Sequence, residues 1–140
     1  SVSRSSCYGT VGELKPIGIV RSVIGNVSEI EVCPDLEEGL YRLDDNKEIL
    51  ILFYFDRSEG FDLKVHPRGD PSEPLAGVFA TRSPRRPNQI GVTSVRLLGV
   101  SGNILTVEGL DAWEGTPVLD IKPVRRRDMH PINGENMGTG

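Results

Sequence analysis

Apolar residues along this chain come in short runs, each closed by Gly, Pro or Asn, and none is long enough or periodic enough to form an amphipathic helix. Residues 15–20 are brief and β-branched, and residues 27–32 alternate, with Ile30 and Val32 set against Glu29 and Glu31. Each reads as one strand. Residues 48–55 form a continuous apolar run whose length suits a central strand, buried on both faces, better than a helix of ten or more residues. Further strands are predicted at 61–65, 76–81, 94–100, 104–109 and 117–122, and Ser101-Gly102-Asn103 closes a tight hairpin between two of them. The one helical signal is a single turn over 34–39, opened by Pro34 and closed by Gly39. Seven or eight strands at this spacing favour an all-β domain, a small closed or partly closed barrel with little helix, which also removes exposed sheet edges. Sixteen glycines and ten prolines in 140 residues fit such a turn-rich fold.

A single domain of this size buries enough surface to need neither a metal nor a disulfide. Residues 15–124 carry the strand pattern and form the barrel domain, residues 1–14 an N-terminal extension, and residues 125–140, which lose periodicity, a C-terminal tail. No run approaches the roughly 20 apolar residues of a spanning helix, and the first ten residues lack the apolar middle of a signal peptide. The chain is therefore expected to be soluble and cytoplasmic, with no membrane partner. Cys7 and Cys33 have no C-x-x-C spacing, and His66 and His130 stand alone, so no metal site is expected. Whether the two thiols pair is left open by the sequence.

Charge divides the chain. Between Glu29 and Asp62 eleven acids face three bases, whereas from Thr81 to Val107 the only charged residues are Arg82, Arg85, Arg86 and Arg96. A second basic group, Lys122, Arg125, Arg126 and Arg127, follows. Arginine outnumbers lysine twelve to four, and its planar fork suits bidentate binding of carboxylate or phosphate. Three arginines within five residues repel one another unless an anion or acid lies nearby, which points to anion binding.

Three loop motifs carry chemistry. Residues 77–91, GVFATRSPRRPNQIG, are a strand emptying into a loop that Pro84 and Pro87 hold extended. Residues 109–117, GLDAWEGTP, offer Asp111 to backbone amides and the aromatic face of Trp113. In residues 118–123, VLDIKP, Asp120 and Lys122 share one strand face and read as a structural pair. Only eight aromatics are present, and none lies among Arg82 to Arg96, which argues against a nucleic-acid surface built on stacked rings.

The strings G-V-F-A-T-R-S-P-x-R-P-N-x-I-G and G-L-D-x-x-x-G-T-P-V-L-D-I-K-P, with Pro16-Ile-Gly-Ile-Val-Arg-Ser22 and the apolar run at 49–55, closely resemble the TsaA-like family of TrmO methyltransferases over most of residues 15–124. The resemblance implies a small β-barrel that works as a homodimer and uses S-adenosyl-L-methionine to methylate N6 of threonylcarbamoyladenosine at tRNA position 37. It implies no Gly-rich Rossmann loop, and no G-x-G-x-x-G occurs here. Carried over by motif, Asp56, Arg57, Arg82, Val92, Glu108, Gly109, Leu110 and Asp111 would bind the cofactor. Arg82 and Asp111 would supply the two charges and Val92 and Leu110 the apolar slot. Arg85, Arg86 and Arg96 would hold tRNA phosphates. No catalytic residue is fixed by the pattern; Asp111 and Asp56 are the carboxylates that could accept the proton. Fuller members carry a longer segment after the R-S pair, whereas Arg21-Ser22 here runs directly into the next strand. Two alternatives accompany this reading: an S-adenosyl-L-methionine-binding barrel without tRNA methylation, regulatory or acting on another substrate, and a nucleic-acid-binding barrel of OB type.

Overall fold

The computed structural model describes residues 11–54 and 62–125. Eight strands occur among them: β1 (Gly18–Ile24), β2 (Val27–Val32), β3 (Glu48–Tyr54), β4 (Lys64–Val65), β5 (Ala76–Gly77), β6 (Ile90–Ser101), β7 (Ile104–Glu108) and β8 (Pro117–Pro123). Six of them close into an antiparallel barrel in the order β1-β2-β7-β6-β3-β8, and β4 and β5 form a separate two-stranded sheet. The all-β barrel expected from the sequence is therefore present.

Alternation drives the closure. In β2, Ser28, Ile30 and Val32 are buried while the residues between them are half exposed, and in β3 Ile49, Ile51 and Phe53 point inward. With Val20, Val95, Leu105, Val107 and Val118 they make one core inside the barrel. Burying each such side chain stabilises the fold by about 1.5–3 kcal/mol. Gly18 shows how tightly the wall is drawn, because a Cβ there would lie 2.5 Å from the Glu31 carbonyl oxygen across the β1–β2 ladder. Bulges between Val20 and Ser22, Leu52 and Phe53, and Leu97 and Gly99 bend the staves round the closed circle.

The structure revises several strand limits. β1 begins at Gly18 rather than 15 and continues to Ile24, because its outer half pairs with β2 around a two-residue turn at Gly25-Asn26. β3 is buried on its inner face, while the outward Leu50 and Leu52 are only half buried. The strand predicted at 76–81 keeps two residues before the chain winds into a 3-10 turn, Val78–Ala80, which Thr81 caps by donating its hydroxyl to the Val78 carbonyl at 2.9 Å. Of the strand predicted at 61–65, Lys64–Val65 remains among the described residues. β6 starts four residues before the predicted 94, because Ile90 to Thr93 pair with the end of β3. The turn predicted at 34–39 is a 3-10 helix, Pro34–Leu40, and Gly102-Asn103 joins β6 to β7 as expected.

Two connections position the functional residues. One is the excursion from the end of β3 to the start of β6. The other is the link between β7 and β8. β3 runs out, and β6 and β8 run in, at the same end of the barrel, where Tyr54 pairs with Ile90 and Phe53 with Val118. Both connections therefore rise over one rim.

Candidate functional site

A cavity of about 730 Å³ opens at that rim. Its floor is the wall of the barrel: Phe53 and Tyr54 at the end of β3, and Ile90, Gly91, Val92 and Thr93 at the start of β6. One side is the excursion, with Thr81, Arg82, Pro84 and Arg86; the other is the β7–β8 link, with Asp111, Ala112, Trp113 and Thr116. The volume falls within the range of about 300–1,000 Å³ typical of small-ligand sites, and apolar walls with few convergent charges are their usual lining.

Polar contacts rather than a core hold the excursion in shape. Arg86 Nη1 donates to the carbonyls of Thr81 (2.8 Å) and Ser83 (3.1 Å), folding the loop back on itself. The amide of Ser83 donates to Thr81 Oγ1 and that of Arg85 to Ser83 Oγ, both at 3.2 Å. Arg85 Nε donates to Asp62 Oδ2 at 2.5 Å, an ion pair whose side chains are each still more than a third exposed. This acid answers the repulsion among clustered arginines noted in the sequence. Arg82 Nη1 reaches back to the Val92 carbonyl on β6 at 3.2 Å, which lays the guanidinium along the cavity wall.

The β7–β8 link is clamped to β1. Gly115 donates its N–H to the Val20 carbonyl at 2.7 Å, and Val20 donates to the Thr116 carbonyl at 2.9 Å. Gly115 has φ of +93°, where an L side chain would be strained.

Of the residues proposed from the sequence, Arg82, Val92 and Asp111 meet in the cavity, and so does Arg86. Leu110 instead turns into the barrel core. Gly109 donates its N–H to the Asn26 carbonyl at 2.9 Å, and Glu108 stands on the outer wall with its carboxylate 3.9 Å from Arg96. Arg96 thus stands on β6, a different element from the excursion that carries Arg85 and Arg86. Asp56 and Arg57, like Cys7, His130 and most of the tail, lie outside the described residues. Cys33 is an exposed thiol, and Lys122 bridges to Asp120 at 3.0 Å, as a structural pair would. His66 Nδ1 lies 2.7 Å from the Glu73 carbonyl, within the excursion. The Asp70 carboxyl is held below its usual range by hydrogen bonds from the Ser72 hydroxyl and then the Ser72 N–H, and it does not line the cavity.

Sequence reasoning passed over Phe53, Tyr54 and Thr116 as site residues. The available signal was positional: an apolar strand ending in aromatics immediately before a long excursion.

Residues 18–128 match the tRNA-methyltransferase O N-terminal domain. An S-adenosyl-L-methionine-binding protein of Archaeoglobus fulgidus is 39% identical over 122 residues, covering 78% of this chain and 86% of that one. A mouse tRNA (adenine(37)-N6)-methyltransferase is 41% identical over 90 residues, covering 62% of this chain and 20% of its own. In structure, TrmO from Pseudomonas aeruginosa superposes with a TM-score of 0.70 at 28% identity, covering 91% of this chain and 62% of that chain. The chain thus spans about a fifth of the mouse protein and under two thirds of the bacterial one, and it spans 33% of a longer Archaeoglobus relative. With a match that runs through every stave of the barrel and both walls of the cavity, this chain belongs to the family of the tRNA-methyltransferase O N-terminal domain.

Proposed function

We propose that the rim cavity binds S-adenosyl-L-methionine and that the chain transfers its methyl group to N6 of threonylcarbamoyladenosine at position 37 of a tRNA. The observation that carries this reading is the convergence of Arg82, Val92 and Asp111, from two separate connections and one stave, on a single cavity. The residues present suit the cofactor's chemistry. Arg82 offers a fork for its carboxylate, Asp111 an anion for its ammonium, and Val92, Phe53 and Ala112 an apolar slot for the adenine. Bound there, the cofactor supplies an electrophilic methyl group on a sulfonium.

The protein's own work is alignment. Transfer would require the acceptor nitrogen to meet the methyl carbon in line with its bond to sulfur, which would break as the new bond formed, and to give up a proton. Holding the two partners in line is the main contribution a rigid rim can make. In this reading Asp111, exposed on the cavity wall, or Asp56, by motif, accepts that proton. Arg85, Arg86 and Arg96 serve the tRNA phosphates in this reading, making substrate binding fall steeply with salt. Action as a homodimer in the cytoplasm belongs to the same proposal. The outward, exposed Ile19, Val23 and Ile24 on β1 are a surface that a second copy could cover.

One observation favours a second reading, a cofactor-binding barrel without tRNA methylation. β1 passes to β2 through a two-residue turn where fuller members carry a longer segment, and the Archaeoglobus relative is named for binding alone.

Calorimetric titration with S-adenosyl-L-methionine should give saturable heat that Arg82→Ala abolishes without moving the melting temperature. Incubation with threonylcarbamoylated tRNA should then add one methyl mass to that nucleoside. Heat without the added mass selects the second reading, and no heat overturns both.

A further inference from the structure

The cavity has an inner and an outer zone. Phe53 is 3% exposed, and Gly91 and Thr116 are buried, whereas Trp113 is 63% exposed and Tyr54, at the end of β3, 41%. A ligand that must be shielded from water settles against the inner zone. The outer zone is left for whatever arrives from solution.

The backbone that carries Trp113 is pinned. Its carbonyl accepts from the Thr116 N–H at 3.1 Å, closing a tight turn, and the two hydrogen bonds between 115–116 and Val20 fasten that turn to β1. The indole keeps 63% of its surface exposed on that pinned backbone, and a flat ring carried on a rigid element is well suited to stack against a planar ligand.

We infer that the Trp113 indole is the platform on which the purine of the methyl-acceptor nucleotide stacks as it enters the cavity. This deepens the methyltransferase reading and rests on it. Three features support the assignment. The indole and Asp111 line the same cavity two residues apart, so a base lying on the ring presents its exocyclic nitrogen near the residue proposed to take its proton. Bases that are recognised individually in RNA are commonly unstacked and laid on aromatic side chains. On the connection opposite Arg82's, the ring is 63% exposed against 3% for Phe53, which puts it on the solvent side of the cavity. The scarcity of aromatics among Arg82 to Arg96 is then no objection, because the stacking ring comes from the opposite connection.

Trp113 is the chain's single tryptophan, so intrinsic fluorescence reads this one position. An anticodon stem-loop bearing adenine at position 37 should quench it, with or without S-adenosyl-homocysteine present, and the same stem-loop with an abasic site at 37 should not. Trp113→Ala should raise the KM for tRNA about five- to a hundredfold, the worth of one stacked base. Its cofactor affinity should be unchanged, and Trp113→Phe should recover most of the loss. Equal quenching by both stem-loops, full quenching by cofactor alone with none added by RNA, or an unchanged tRNA KM in Trp113→Ala each overturns the assignment. Absence of cofactor heat in the calorimeter is a different failure, that of the reading beneath it, and the stem-loop comparison without cofactor is judged separately.

Discussion

The staves of the barrel and the excursion that leaves them are stabilised by different physics. Inside the barrel, Val20, Ile30, Ile49, Ile51, Leu105, Val107 and Val118 are wholly buried, with hydrophobic packing on every side. In the excursion Val78 is the one fully buried side chain among the described residues, and shape comes from Arg86 bonding two carbonyls, Arg85 facing Asp62, and small hydroxyls tying backbone amides. Packing energy is large and insensitive to the identity of distant residues, whereas exposed polar ties are individually small and sensitive to salt. The division keeps the scaffold rigid while leaving the ligand-facing loop free to vary without unfolding it.

Substitutions can break this contrast. The largest effect is expected for Ile51→Ala, which opens a cavity among the inward residues and should cost about 2–5 kcal/mol, read as a lower urea midpoint with an unchanged slope. Arg86→Ala comes next. It should raise amide exchange over 81–86 and weaken cofactor binding, while global stability moves by no more than about 1 kcal/mol, since the lost ties are half exposed. If Arg86→Ala instead unfolded the barrel as Ile51→Ala does, the separation of scaffold and loop would be wrong. The smallest effect sharpens the picture from within. Ser28 is 1% exposed and its hydroxyl has no hydrogen-bond partner among the described residues. Ser28→Ala should therefore be neutral or stabilising by about 0.5–1 kcal/mol in chemical denaturation, because nothing is lost when an unpaired buried hydroxyl is removed.

Where local pattern decides structure, the sequence was readable. The alternation of 27–32 set β2 to the residue, and Gly102-Asn103 fell where the hairpin turns. Pattern failed where pairing with a distant segment decides. Ile90 to Thr93 look like the tail of a proline-rich loop, yet their register with Leu52, Phe53 and Tyr54 makes them strand. Residues 76–81 have the composition of a strand, but among the described residues Ala76 and Gly77 alone join a ladder, with Val65 and Lys64, before the chain turns away. The site divides the same way. Arg82, Val92, Asp111 and Trp113 could be picked from their motifs, but the arrival of Phe53 and Tyr54 beside them depends on which ends of β3, β6 and β8 share a rim.

The circle of staves is completed by a short join. β1 and β8 are in register only at Gly18 with Val118 and Ile19 with Pro117, whereas β3 and β6 zip together from Glu48 to Tyr54. A hoop parts where it is least stitched, so transient gaping should begin along β1 and β8. The same stretch of β1 grips the turn that carries Trp113, through Val20. Anything lodged against that turn therefore acts as a rivet across the weakest line of the cylinder, and occupancy and mechanical integrity rise together.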